Sequence, residues 1–187
     1  MVNPNSIKEV PKLETGRLIL RAFTENDVED IYEYASDEEV AAFLVWDPHK
    51  TRDDTYDFLN MSKEIFHNSD NIDWGIELKE EGKLIGAISI RKWNDANRCG
   101  DIGYVLSKKY WNKGFATEAL RAVIRYGFEK LNVNRLEAHC DEINSASYRV
   151  MEKAGMKYEG TLRQKVFIKG KFLNIRFYSI LKEEFYK

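Results

Sequence analysis

Cysteine and histidine are scarce in this chain of 187 residues: Cys99 and Cys140 are its two cysteines, and His49, His67 and His139 its three histidines. Two widely separated thiols exclude a disulfide framework and a thiolate metal site, and the histidines show no metal-ligand spacing, so no metal is expected. Proline is equally sparse, confined to Pro4, Pro11 and Pro48. No apolar run approaches the ~20 residues that span a bilayer, and the first residues, MVNPNSIKEVPK, lack the apolar stretch of a secretory signal. An excess of one charge sign is missing too: 29 Lys and Arg stand against 31 Asp and Glu, a formal net charge of −2. That balance supplies no basic field for a nucleic-acid backbone. The expectation is a soluble, cytoplasmic protein that binds neither nucleic acid nor membrane.

What is present is a globular composition, 43% apolar, 32% charged and 13% aromatic. At the usual ~150 residues per domain the chain reads as a single domain over 1–187, with residues 1–12 a loosely ordered extension. A chain of this size buries roughly 70% of its unfolded surface, enough for a sizeable core. Residues 17–22 (RLILRA) read as a strand, and Thr24 with Asp27 marks a helix start that should run to about Ser36. Thr51 with Asp54 opens a second helix, to about His67. From Asp73 the period becomes two, giving antiparallel strands over 74–78, 84–90 and 101–106. After Gly114, apolar residues from Ala116 to Leu131 recur at helical spacing; then come a strand over 135–140, a helix over 145–154 ended by Gly155, and a terminal strand pair around 169–171. The order β, α, α, β, β, β, α, β, α, β, β is an α+β domain on one mixed sheet, because the strand-helix-strand over 101–140 favours parallel pairing.

Chemistry concentrates in residues 105–119, VLSKKYWNKGFATEA, where a strand runs into a loop and the loop opens a helix. Helix starts leave amide N–H groups unpaired and carry partial positive charge, so residues 112–117 offer backbone donors to a phosphate. Gly114 permits close approach and Ala116 keeps the surface low. The spacing matches neither the ATP-type P-loop nor the G-x-G-x-x-G of a dinucleotide fold, and a plain strand-to-helix turn is the simpler reading of the loop alone. A second feature shifts that balance. Asn144 and Ser147, three residues apart at the start of the short helix, point to one side of it, and Asn144 is also a good N-cap.

Together these segments resemble the GNAT N-acetyltransferase superfamily, and within it the branch of ribosomal-protein N-terminal acetyltransferases. Four ordered strings carry the likeness: LETGRLILRAFTENDVEDIYEYASDEEV, GKLIGAISI, DIGYVLSKKYWNKGFATEAL and NSASYRVMEKAGMKYEGTLR. The resemblance implies the acyl-CoA N-acyltransferase fold, a mixed, mostly antiparallel sheet flanked by helices. It implies transfer of acetyl from acetyl-CoA to a primary amine by direct attack in a ternary complex, most closely the α-amino group of a protein such as a ribosomal protein. Related enzymes are often dimers.

On this resemblance the coenzyme pyrophosphate rests on Asn112, Lys113, Gly114, Phe115, Ala116 and Thr117, and the pantetheine arm pairs with the backbone of Val105 and Leu106, where an N–H can polarise the thioester carbonyl. Asn144 is expected to bind the pantetheine or orient the site, and Ser147 to serve the coenzyme thiol, a task that water could also perform. Asp101 matches an acidic position common in this branch and is expected to take the amine's proton, with Glu77 and His139 as runners-up. Trp111 stands where many members carry Gln or Arg, Met151 where many place a tyrosine general acid, and Asn174 where the family usually has an acid. Glu118 near a helix start reads as structural, and Lys108, Lys109 and Lys113 could meet coenzyme phosphates or be solvated. The acceptor site is expected where Phe43, Trp46 and His49 cluster and at the strand ends bearing Trp74 and Trp93, although aromatics in this number also suit a core. Two rivals stay open. One is acetylation of a small amine such as a polyamine, an aminoglycoside or an amino acid, with Asp53, Asp54 and Asp57 on the second helix as acidic groups. The other is a non-catalytic acyl-CoA-binding sensor, motivated by the missing tyrosine.

Overall fold

The computed structural model describes residues 9–68, 71–94 and 96–186, with the backbone alone for residues 67, 68 and 92–94. Of the expected N-terminal extension, residues 1–8 lie outside the described residues, and the Pro11 carbonyl accepts from the Trp74 indole at 2.7 Å.

Strands β1 (Leu13–Glu14) and β2 (Leu18–Arg21) open the sheet. The helix start at Thr24 forms as its spacing predicts, with Asp27 Oδ2 accepting from the Thr24 amide at 2.7 Å. Its first turn is a 3-10 turn, Glu25–Asp27, and the regular helix α1 covers Val28–Ala35. A short α2 (Glu38–Ala41), not announced by the hydrophobic period, follows because Asp37 caps it, accepting from the Glu39 amide at 2.8 Å. Asp54 likewise accepts from the Lys50 and Thr51 amides, at 2.7 and 2.9 Å, and starts α3 (Arg52–Asn68). Then come β3 (Ile72–Leu78), β4 (Lys83–Asn94), β5 (Cys99–Leu106), α4 (Phe115–Glu129), β6 (Arg135–Asp141), α5 (Ser145–Lys153), β7 (Lys157–Ile168), β8 (Lys171–Leu181) and a short α6 (Lys182–Phe185).

Among the described residues, eight strands lie in the order β1-β2-β3-β4-β5-β6-β8-β7. Every neighbouring pair is antiparallel except β5 and β6, which are parallel because α4 carries the chain back between them. Strand alternation sends Ile72, Trp74, Ile76 and Leu78 to the face covered by α4, where Leu120, Val123, Ile124 and Phe128 are buried at helical spacing. Each such side chain stabilises the fold by roughly 1.5–3 kcal/mol. The opposite face is covered by α1 and α3, through Val28, Ile31, Tyr34 and Leu59 against Leu84 and a half-buried Val105. Among the described residues no helix is long and apolar enough to cross a membrane.

One break in the sheet positions everything that follows. β5 and β6 pair over Cys99–Ile102 and Arg135–Ala138 and then part. β5 continues on β4 as far as Leu106, while β6 continues on β8 as far as Asp141.

Candidate active site

The gap between β5 and β6 presents the backbone of β5 with no strand opposite. The Ser107 amide donates to Ile85 at 2.8 Å, on the β4 side. Alternation then turns the backbone groups of Tyr104 and Leu106 toward the gap, and those of Val105 toward β4. Of the two residues expected to pair with pantetheine, Leu106 therefore offers its amide to the gap. The Val105 side chain packs into the core under α1.

At the end of β5, Asn112 and Gly114 both have positive φ, 61° and 82°, and bring the chain sharply into α4. The first helical bond runs from the Glu118 amide to the Gly114 carbonyl at 3.0 Å. The amides of Phe115, Ala116 and Thr117 precede it and point out of the helix start, the arrangement that holds anions. The Phe115 ring itself is buried in the core, so that residue contributes backbone only. Trp111 has a definite role in this geometry: its indole N–H donates to the Leu106 carbonyl at 2.7 Å, pinning the loop to the strand it leaves.

Glu118 locks the loop from the other side. It accepts from the Thr15 hydroxyl at 2.6 Å and from the Arg17 amide and Nε at 2.9 and 2.7 Å. Arg17 also donates to the Lys113 carbonyl at 3.0 Å and lies over the Phe115 ring at 4.3 Å. Burial opposes ionisation of Glu118, but the donors from Thr15 and Arg17 outweigh it and hold the carboxyl below its ordinary range. Of the loop lysines, Lys108 pairs with Glu39, Lys109 pairs with Glu33 at 2.6 Å, and Lys113 lies over the Tyr110 ring.

Across the gap stands the start of α5. Asn144 caps it, its Oδ1 accepting from the Ser147 amide at 3.0 Å. The Tyr104 hydroxyl reaches over from β5, donating to the Ser147 carbonyl at 2.8 Å and lying 2.9 Å from Ser147 Oγ. Met151, expected from the resemblance to stand where many members place a tyrosine, is 1% exposed and belongs to the core. Asn174 does not face a reacting centre: its amide donates to Glu142 at 2.7 Å and its oxygen accepts from the Gln164 amide at 2.9 Å.

On the sheet face away from α4, Asp101 Oδ1 and His139 Nδ1 lie 3.2 Å apart, joining two residues that the sequence offered as separate candidates. The imidazole, 40% exposed, stacks on Phe177 with centroids 5.4 Å apart. Glu77 is tied instead to Arg21, which also grips Asp27, and serves that ionic cluster. Asp73, on the same face, is largely buried; burial raises its pKa, with Arg91 and Ser89 partly offsetting the effect.

The expected acceptor aromatics divide. Trp46 is half-buried beside His49, ring centroids 5.5 Å apart, and Phe43 is exposed nearby. His49 bonds Thr55 at 2.9 Å, and burial lowers its pKa. Trp74 does not line an acceptor site: it is 0% exposed, packs edge-on to Tyr126 of α4 at 5.6 Å, and satisfies its N–H on Pro11. Its even position on β3 sends it to the α4 face, opposite Asp101. The side chain of Trp93 lies outside the described residues. Asp54 is spent on capping α3, and Asp53 and Asp57 are exposed on that helix rather than gathered into a pocket. Among the described residues no group of His, Cys, Asp and Glu could hold a metal ion.

A family model described as an acetyltransferase (GNAT) domain matches residues 17–157. This chain belongs to the GNAT acetyltransferases. YnaD of Bacillus subtilis, an uncharacterized N-acetyltransferase, is 35% identical over 173 residues, covering 92% of this chain and 98% of that protein. A GNAT-family acetyltransferase structure from Bacillus anthracis superposes with a TM-score of 0.83 at 32% identity, over 92% of this chain and 99% of the other. A Vibrio cholerae spermidine N-acetyltransferase solved with CoA and spermine shares the fold, with a TM-score of 0.78 at 22% identity, over 92% of this chain and all of that one, 100%.

GNAT enzymes transfer acetyl from acetyl-CoA to an amine, so this chain is an N-acetyltransferase. Two residues around the gap and the start of α4 were not singled out by the motifs, Tyr104 and Arg17, and Trp111, noted only as a departure, proves a structural pin. The partners of Tyr104 and Arg17 lie 43 and 96 residues away, beyond any local pattern.

Proposed function

We propose that this GNAT enzyme acetylates the N-terminal α-amino group of a protein, such as a ribosomal protein. The observation that carries the reading is that the carboxylates on the acceptor side are already engaged. Asp27 and Glu77 share Arg21, Asp73 pairs with Arg91, Asp30 and Glu33 share Lys83 with Lys109 also on Glu33, Glu39 pairs with Lys108, and Asp101 pairs with His139. A polyamine needs carboxylates whose charge is still uncompensated, whereas a peptide end brings one amine and a chain able to lie along an open face. A Bacillus subtilis relative provisionally named as a ribosomal N-acetyltransferase, YdaF, supports the same reading. It is 37% identical over 112 residues, covering 59% of this chain and 61% of that protein.

In this mechanism the amides at the start of α4 hold the coenzyme pyrophosphate, and the Leu106 amide donates to the thioester oxygen as charge builds on it. His139, oriented by Asp101, takes a proton from the attacking amine. The amine nitrogen bonds to the acetyl carbon, the carbon–sulfur bond breaks, and the sulfur receives the Ser147 proton. A thiol pKa near ~8.5 makes the thiolate a competent leaving group, so Ser147 contributes modestly.

The test supplies acetyl-CoA with a pool of N-terminal peptides or a pool of small amines and measures release of the coenzyme thiol. Release with peptides supports the proposal. Release confined to spermidine, aminoglycosides or amino acids assigns the enzyme to small amines instead.

A further inference from the structure

Ser147 is held at three of its polar atoms. Asn144 takes its amide, and the Tyr104 hydroxyl meets both its carbonyl and its Oγ, at 2.8 and 2.9 Å. Tyr104 is also a side-chain bridge between β5 and α5 at the place where β5 and β6 have parted, so it fixes the distance across the gap as well as the serine itself. A phenol carries a single proton. With that proton given to the Ser147 carbonyl, the phenol oxygen can only accept from Ser147 Oγ, which fixes the rotor of an otherwise free hydroxyl. With the serine hydroxyl turned into the gap, the same phenol can donate to Oγ instead.

We infer that Tyr104 is a positioning residue for Ser147: it sets the hydroxyl's direction and stabilises its oxygen while the proton passes to the departing sulfur. The inference rests on the reading of Ser147 as the thiolate's proton source. The step balances without ionising the phenol. Sulfur gains the proton of Ser147 Oγ, the serine oxygen is refilled through water by the proton that His139 took from the amine, so no hydroxide is left, and Tyr104 keeps its own proton throughout. Burial, which pushes the Tyr104 phenol well above its ordinary range, agrees with a partner that orients rather than one that gives up a proton. α5 has the buried thioether of Met151 where many GNAT enzymes have a tyrosine, so in this chain the phenol at the proton-transfer group comes from β5.

Tyr104→Phe removes both hydrogen bonds and keeps the ring. In steady-state kinetics with the responsive acceptor, kcat should fall ~10-fold, the scale of one or two lost hydrogen bonds, while the KM for acetyl-CoA stays within about twofold. Thermal unfolding of the variant separates lost folding from lost positioning. In the Ser147→Ala background, Tyr104→Phe should cost nothing further, because the group it positions is gone. Multiplicative losses in the double variant, or full kcat in Tyr104→Phe beside a slow Ser147→Ala, overturn the inference alone. Full kcat in Ser147→Ala overturns the reading of Ser147 and the inference with it.

Discussion

The two faces of the sheet are closed on different terms. Under α4 the contact is apolar throughout, with Trp74, Ile76, Leu120 and Phe128 in one continuous core. Under α1 and α3 a smaller apolar cluster is flanked by Arg21, Asp27, Glu77, Asp73 and Arg91, and by the pair Asp101 and His139. The apolar face carries the loop and helix start proposed to hold the coenzyme. The charged face carries the groups proposed to meet the acceptor. A coenzyme common to a whole family needs one rigid backbone geometry, which a dry core supplies, whereas acceptor choice is written in side chains that a core would bury.

Substitutions on the two faces should therefore fail in different ways. The largest effect is expected from Trp74→Ala, which should cost about 3–5 kcal/mol of stability and lower the melting temperature by roughly 6–20 °C without a specific change in acceptor KM. An acceptor KM that rises while the melting temperature holds would return Trp74 to the acceptor site. Next comes Gly114→Glu, which forces a side chain onto a φ of 82° and sets a carboxylate where phosphate should rest. Acetyl-CoA affinity, read by calorimetry, should drop by roughly 100-fold. Unchanged affinity would move the coenzyme away from the start of α4.

On the charged face, Asp101→Asn should reduce kcat by roughly 100-fold with the coenzyme KM and the melting temperature nearly unchanged, since it leaves His139 without the partner that orients it. An undiminished kcat would leave the pair without a catalytic part. A smaller and pH-dependent effect belongs to Glu118. Its folded pKa lies below the ordinary 4.5, so the stability it contributes is complete at neutral pH and disappears as acid protonates it. The stability difference between the parent and Glu118→Gln, read by thermal unfolding, should amount to about 1 kcal/mol at pH 7 and close as the pH falls through and below 4.5. A difference that persists in acid would show that the Arg17 contact does not depend on the charge. Smallest of all, Asp53→Asn with Asp57→Asn should move the acceptor KM by less than about twofold, because both carboxylates are exposed and screened. A large rise in spermidine KM would favour the small-amine reading.

Local chemistry along the chain made the fold legible. The caps at Thr24, Thr51 and Asn144, the period-two run from residue 73 and the helical period after Gly114 each act over a few residues, and each forms where its spacing says. The same holds for the start of α4, where the turn chemistry of Asn112 and Gly114 is written within three positions. The acceptor side was less legible. Period two says that Trp74 and Glu77 face opposite sides of β3, but not which side a helix will cover, so one became core and the other an ion-pair partner.

Sequence alone determined the longer elements, their order and the helix start that resembles a phosphate cradle, because hydrophobic period and capping are short-range forces; the short β1, α2 and α6 carry too little period to be read from it. Only the tertiary structure decided that β5 and β6 part after Ile102, that Asp101 meets His139 from 38 residues away, and that Tyr104 holds Ser147 from 43. Those contacts depend on which strands lie side by side, and strand neighbours are chosen by how whole faces bury together, a property that no single segment carries.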